Sequence, residues 1–131
     1  MKFDHIGIFV NSLEIGQKHF NEIFEIKTWS QVYYDPIQKV QVQFGYDSSK
    51  ICYELVVPKG ENNPVDKVLK DGKNILNHVA YKVENIDNAI KRLKEKRCLL
   101  ISGPNPATAF KNKKIAFLYT PLKFIIEIIE K

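Results

Sequence analysis

Two histidines and two glutamates recur at one interval in this chain, and all four are residue types that bind divalent transition metals. His5 stands in DHIGIFV and His78 in NHVAYKV, two stretches that share the order acidic or amide residue, histidine, branched residue, small residue. The interval from His5 to His78 equals the interval from Glu54 to Glu127. Two imidazoles and two carboxylates suit Zn, Ni, Co, Mn or Fe, and an octahedral ion would keep two positions open for a ligand.

Both glutamates stand among apolar residues of predicted strands. Glu54 lies in ICYELV and Glu127 in FIIEII, and in each stretch the residues two positions before and after are apolar. A carboxylate with such neighbours is costly to bury unless it is paired or binds a cation. The alternative is that both glutamates face solvent at sheet edges and that the histidines are hydrogen-bonded without further role. Two glutamates and two histidines at one matched offset favour the metal site.

The elements that must position these residues follow from the same repeat. Phe44 and Tyr46 correspond to Phe117 and Tyr119. The segment SLEIGQKHFNEIF, after the strand that holds His5, corresponds to NIDNAIKRLKEK, after the strand that holds His78. Repetition of a whole unit indicates duplication of one structural motif. We therefore predict an α+β fold of two tandem βαβββ units, about 1–58 and 76–131, joined by a linker at about 59–75 within a single domain, 1–131.

Hydrophobic periodicity and turn residues give the expected elements of each unit. In the first unit, Ser12 is the expected N-cap of a helix that ends near Phe24, and strands are expected at 2–10, 27–34, 39–46 and 50–57. The linker is expected to hold a short helix at 65–70. In the second unit we expect a helix at 86–97, strands at 76–84, 98–102, 113–119 and 123–130, and a long loop, SGPNPATAFKNK, at 102–113.

Composition limits the classes of protein that fit. A chain of 131 residues is an ordinary length for one compact domain. The net charge of +5 comes mostly from scattered lysines, with no basic stripe interleaved with aromatic residues, so no nucleic-acid partner is expected. No apolar run is long enough to span a bilayer, and the N-terminus lacks the pattern of a secretory signal. Cys52 and Cys98 lack the spacing of a metal-binding or redox motif, so we expect both thiols to be free. Together these features lead us to expect a cytoplasmic protein with no membrane partner.

The four motifs in this order resemble the vicinal oxygen chelate superfamily, whose members include glyoxalase I, methylmalonyl-CoA epimerase, extradiol dioxygenases, fosfomycin-resistance enzymes and bleomycin-binding proteins. The resemblance is carried by DHIGIFV, CYELVVP, NHVAYKV and FIIEIIE and covers essentially the whole chain. Within the superfamily, the stretch from YELVVP to RLKEK and the strand KKIAFLY are most similar to methylmalonyl-CoA epimerases. The resemblance implies an open, cupped mixed sheet around a central metal with helices outside, and His5, Glu54, His78 and Glu127 as the metal ligands.

The resemblance also implies a reaction class. A metal-dependent epimerase, isomerase or lyase of this kind acts on a small chelating oxo-acid or acyl thioester through a stabilised enolate. Glu127 is the expected base, with Glu54 second. The third strand, KVQVQFGY, lacks the acid that some epimerases carry there, so two-base epimerisation would use these two glutamates or a water. The expected substrate contacts are Phe110, Asn112, Gln43 and Lys123.

Two other functions fit the same fold. A non-catalytic binding or resistance protein would sequester a small molecule, but such binders commonly lack the full ligand set that this chain retains. A dioxygenase would use two histidines and one carboxylate with Fe(II). For any of these we expect a small, anionic ligand and a homodimer, and the resemblance leaves open whether the site forms within one chain or across a dimer.

Overall fold

The computed structural model describes all residues from Met1 to Lys131. Its strands are β1 (Lys2–Phe9), β2 (Thr28–Trp29), β3 (Tyr33–Asp35), β4 (Val40–Tyr46), β5 (Cys52–Pro58), β6 (Leu76–Val83), β7 (Leu99–Ala107), β8 (Lys113–Tyr119) and β9 (Ile125–Glu130). The helices are α1 (Leu13–Phe24), α2 (Pro64–Asp71) and α3 (Ile86–Glu95), with a 3₁₀ turn at Thr108–Phe110. The strands form one mixed sheet in the order β2-β4-β5-β1-β6-β9-β8-β7, with β3 paired to β4. The predicted α+β fold with repeated βαβββ units is confirmed.

No helix combines the length and the apolar character that a membrane span requires. By the density of contacts the chain divides into two compact units, His5–Asn77 and a second made of Met1–Asp4 with His78–Lys131. The predicted bounds of the domain and its linker stay a prediction.

In the unit His5–Asn77, β1 runs parallel to β5, and β5 pairs antiparallel with β4. Helix α1 begins where predicted, because the Ser12 side chain accepts a hydrogen bond from the Ile15 N–H at 3.1 Å and caps the first turn. The helix lies close to β5 at Gly16, where a Cβ atom would stand 3.0 Å from a methyl group of Leu55. Helix α1 therefore covers the strand face on which Leu55 lies.

In the unit that contains His78–Lys131, β6 runs parallel to β9, β9 pairs antiparallel with β8, and β8 with β7. Helix α3 is capped by the Asn85 side chain, which accepts from the Asn88 N–H at 2.9 Å. The helix and one face of the strands share an apolar core, which consists of Val83, Ile86, Ala89, Ile90, Leu93, Cys98, Ala116, Leu118, Ile126 and Ile128. In each unit, therefore, a helix covers one face of the strands and leaves the opposite face uncovered by that helix.

The single strand predicted at 27–34 is wrong in its continuity, because β2 and β3 are separated around Ser30. The Ser30 N–H donates to the Phe44 carbonyl oxygen at 2.8 Å, and Ser30 Oγ accepts from the Phe44 N–H at 3.0 Å. A side-chain oxygen therefore takes the place of a backbone acceptor at this step of the ladder. A side-chain bond to a residue fourteen positions away interrupts a strand that propensity alone predicts to be continuous.

The loop predicted at 102–113 is also wrong, because β7 extends from Leu99 to Ala107 and the 3₁₀ turn follows directly. Prolines are tolerated here because β7 is the last strand of the sheet, where one row of backbone groups needs no partner. The pairing with β8 shifts register at two points, between Leu100 and Ser102 and between Ser102 and Asn105. Gly103 allows this path, since its φ is +90° and a Cβ atom would lie 2.5 Å from the Ile115 carbonyl oxygen.

Candidate metal centre

One histidine–glutamate pair lies on the two neighbouring parallel strands β1 and β5. Gly7 is the register partner of Glu54, and His5 lies two residues from Gly7, so His5 and Glu54 share a strand face. His5 Nε2 is 3.5 Å from Glu54 Oε1. The imidazole is fully buried and Glu54 is 5% exposed. The pair therefore sits in a site from which bulk water is largely excluded.

The second pair has the same construction on β6 and β9. Ala80 is the register partner of Glu127, and His78 lies two residues before Ala80 on the same face. His78 Nε2 is 3.1 Å from Glu127 Oε2. His78 is 5% exposed and Glu127 is 2% exposed. The residues that repeat in the sequence thus form two histidine–glutamate pairs with the same arrangement on their strands.

The four side chains form a group that could hold a metal ion. One ligand atom from each of His5, Glu54, His78 and Glu127 lies within 4.8 Å of the other three. Two imidazole nitrogens and two carboxylate oxygens are the donors that Zn and neighbouring transition metals accept. The alternative of glutamates facing solvent at sheet edges is wrong, because both are buried on strands inside the sheet. The donor set fits a divalent cation.

A phenylalanine stands beside each pair. Phe44 lies directly opposite Glu54 in the β4–β5 ladder, and Phe117 lies opposite Glu127 in the β8–β9 ladder. The Phe44 ring meets the His5 imidazole at 5.6 Å between centroids and an interplanar angle of 73°. The Phe117 ring meets the imidazole of His78 at 5.5 Å and 81°. The sequence marks these two positions as equivalent, but it gave no reason to assign them a role.

Gln43 does not share the face of the glutamates. Its register partner is Leu55, whose side chain points to α1, and residues opposite each other in a ladder share a face. The side-chain N–H of Gln43 donates to the Ser30 carbonyl oxygen at 2.7 Å. The side-chain oxygen of Gln43 accepts a hydrogen bond from the side chain of Gln17 on α1. The predicted contact of Gln43 with a substrate stays a prediction.

Phe110 lies on the face that carries Glu127. It packs, together with Phe117, against an apolar cluster that consists of Ala80, Ala107, Ile115 and Ile129. Ile129 is two residues from Glu127 on β9, and side chains two apart point to the same side of a strand. Phe110 therefore contributes to an apolar wall beside this carboxylate.

Asn112 and Lys123 are both exposed and both have left-handed backbone conformations, with φ of +62° and +67°. Asn112 follows the 3₁₀ turn, and Lys123 lies in the turn between β8 and β9, where its N–H donates to the Thr120 carbonyl oxygen at 2.9 Å. Their predicted contact with a substrate stays a prediction.

Comparison with known proteins places the chain in a family. The profile of the glyoxalase/bleomycin resistance protein/dioxygenase superfamily matches residues 4–117, and the chain belongs to this superfamily. The chain is similar to the Bacillus subtilis (strain 168) protein YqjC, described as uncharacterized, with 26% identity over 117 residues that cover 89% of this chain and 81% of the relative.

Two solved structures extend the comparison. The hypothetical protein BH1468 from Bacillus halodurans C-125 has a TM-score of 0.83 and 26% identity, over 99% of this chain and 94% of that one. Methylmalonyl-CoA epimerase from Mycobacterium tuberculosis has a TM-score of 0.80 and 21% identity, over 98% and 87% of the two chains. The second likeness shows a shared fold.

Proposed function

We propose that this protein is a metal-dependent epimerase, isomerase or lyase that removes a carbon-bound proton next to a carbonyl group of a small, anionic oxo-acid or acyl thioester. The observation that carries the proposal is the buried, duplicated histidine–glutamate pair, whose four ligand atoms lie within 4.8 Å of one another. Membership of the superfamily and the fold shared with a methylmalonyl-CoA epimerase support this reaction class.

His5, Glu54, His78 and Glu127 are the residues that would hold the cation. A bound divalent ion supplies Lewis-acid stabilisation of the negative charge that develops on the substrate oxygens. The protein contributes the exclusion of water, because each of these four residues is at most 5% exposed. Electrostatic interactions are stronger in such a site than in bulk solvent.

Glu127 is the proposed base. Its carboxylate takes the proton from carbon, and the electron pair of the C–H bond moves toward the carbonyl to form the enolate. Return of a proton to the opposite face of the same carbon gives epimerisation, and return to the adjacent carbon gives isomerisation. Glu54 comes from the other repeat and is the second carboxylate that an epimerase needs, because β4 carries no acid.

The apolar wall beside Glu127 suggests where the less polar part of a substrate binds. Phe110 and Phe117 pack on small and branched side chains there, so the wall offers aromatic surface rather than hydrogen bonds. Asn112 precedes β8 and Lys123 lies in the turn after it, at opposite ends of the strand, so we propose them as separate polar contacts of an anionic substrate. A lysine in this position would attract a carboxylate by charge alone.

Solvent exchange tests the proposal without knowledge of the physiological substrate. Protein loaded with Co²⁺ or Mn²⁺ is incubated in D₂O with methylmalonyl-CoA, other short 2-substituted acyl thioesters and 2-oxo acids, and deuterium on carbon is followed by NMR. We expect exchange at the carbon next to the carbonyl for at least one class, and none after removal of the metal with a chelator. Tight binding of these compounds with no exchange in the loaded protein would indicate a binding protein and overturn the enzymatic proposal.

A further inference from the structure

We infer that Phe44 and Phe117 are positioning residues that hold the two imidazoles of the metal centre in the orientation needed for coordination. This inference rests on the proposed metal centre, since it assigns a task to the neighbours of its ligands. It concerns two side chains that touch the histidines but carry no donor atom of their own. Each contact between a phenylalanine and a histidine occurs within one compact unit.

The contact between Phe44 and His5 fixes the first imidazole from the side. The rings are 5.6 Å apart at 73°, an edge arrangement that aromatic pairs prefer over face-to-face stacking. Phe44 also faces Glu54 across the ladder, so one ring lies beside both members of the pair. Rotation of the imidazole about its χ2 angle would break this contact.

Phe44 itself has little freedom to move. Its backbone N–H and carbonyl group are both bonded to Ser30, at 3.0 Å and 2.8 Å, and its ring meets Tyr33 at 6.1 Å and 65°. Phe44 is 8% exposed. A support that is itself immobile can limit the motion of the group it touches.

The second unit repeats the arrangement with different surroundings. Phe117 faces Glu127 across the β8–β9 ladder and meets the His78 imidazole at 5.5 Å and 81°. Its ring packs on the apolar cluster of Ala80, Ala107, Ile115 and Ile129, against which Phe110 also packs. The aromatic contact therefore recurs at equivalent positions, although Tyr33 supports one ring and an aliphatic cluster supports the other.

Such neighbours act on metal affinity by preorganisation. Hydrogen-bonding partners that orient ligating histidines typically change metal affinity about 10–100-fold when they are replaced, and we expect the weaker aromatic contact to lie at the lower end of that range. We expect replacement of either phenylalanine by leucine to weaken metal binding about tenfold. The ligands themselves stay in place, so binding is weakened and not abolished.

The test compares Phe44→Leu and Phe117→Leu with Phe20→Leu as the matched control. Phe20 lies on α1 and packs on Tyr53 and Trp29, so its replacement removes similar aromatic contacts away from the metal centre. The measurements are the dissociation constant for Co²⁺ and the visible absorption bands of bound Co²⁺, which report ligand geometry. The Met variants at both positions serve where a leucine variant does not fold.

We expect about tenfold weaker Co²⁺ binding and altered absorption bands for the Phe44 and Phe117 variants, with wild-type affinity and bands for Phe20→Leu. Wild-type affinity and bands in the Phe44 and Phe117 variants would overturn the positioning role and leave the metal centre intact. Failure of the wild-type protein to bind Co²⁺ would overturn both proposals.

Discussion

His78 Nε2 lies 3.1 Å from Glu127 Oε2, and both side chains are almost fully buried. This pair has a counterpart in His5 and Glu54, at 3.5 Å, on the equivalent strands of the other repeat. Converging buried ionisable groups are typical of functional sites, and a buried ion pair is a weak source of stability. Each of the two roles assigned to this pair, metal ligand and base, can be tested separately.

Replacement of Glu127 by glutamine tests the role of the base. The amide keeps the shape of the side chain but cannot accept a proton at neutral pH, so we expect deuterium exchange into the substrate to fall about 100-fold or more. Exchange is measured by NMR on metal-loaded protein. Glu22→Gln, at an exposed position of α1, is the control and should keep the wild-type rate. Undiminished exchange in Glu127→Gln would assign the base elsewhere.

Replacement of the histidines by alanine tests the ligand set. A ligand at 100 times its dissociation constant stabilises the folded state by about 2.7 kcal/mol, and this gain requires the ligands. We expect Zn²⁺ or Co²⁺ to raise the Tm of the wild-type protein and to leave that of His5→Ala or His78→Ala nearly unchanged. His19→Ala is the matched control, because His19 is exposed on α1. If all three variants respond to metal like the wild-type protein, these imidazoles are not ligands.

The sequence was informative wherever it repeats. The histidine and glutamate positions, the N-cap Ser12 and the helix that follows it all depend on local patterns, and the structure has these elements where they were expected. Repetition also predicted that each histidine shares a unit with one glutamate. These features need no knowledge of long-range contacts.

The failures involve partners that are distant in sequence. Ser30 interrupts a strand because its side chain bonds to Phe44, fourteen residues away, and propensity says nothing about such a bond. The prolines near Gly103 predict a loop, because proline is rare inside a sheet. They are compatible with a strand here because β7 lies at the edge of the sheet, which the sequence does not show.

A tight contact in the first unit predicts the effect of a single methyl group. A Cβ atom at Gly45 would lie 2.6 Å from the Trp29 ring, so Gly45→Ala forces the indole to shift. We expect a loss of about 1–3 kcal/mol in the free energy of unfolding, measured by urea denaturation. Trp29→Leu combined with Gly45→Ala should show a smaller loss than the sum of the two single changes. An additive result would mean that the two residues do not touch.

Tyr53 gives a prediction for alkaline pH. Desolvation, then the charge of Asp47 and its hydrogen bond with the Tyr53 hydroxyl at 3.3 Å, raise the pKa of this phenol above its ordinary value of 10.0. A raised pKa in the folded state means that the stabilising contribution is complete below pH 10 and is lost as pH rises through the folded-state pKa.

The shift is measured by tyrosinate absorbance, as the difference between the wild-type protein and Tyr53→Phe. Asp47→Asn removes the charge while keeping an oxygen for the turn, so we expect it to move the Tyr53 titration to lower pH. An unchanged titration in this variant would leave burial as the sole cause of the shift.

The central claim is that the four side chains share one cation, and calorimetric titration of chelator-treated protein with Co²⁺ tests it most directly. We predict one high-affinity ion per chain in the wild-type protein and none in the double variant His5→Ala, His78→Ala. Absence of binding in the wild-type protein, or unchanged binding in the double variant, would contradict the claim.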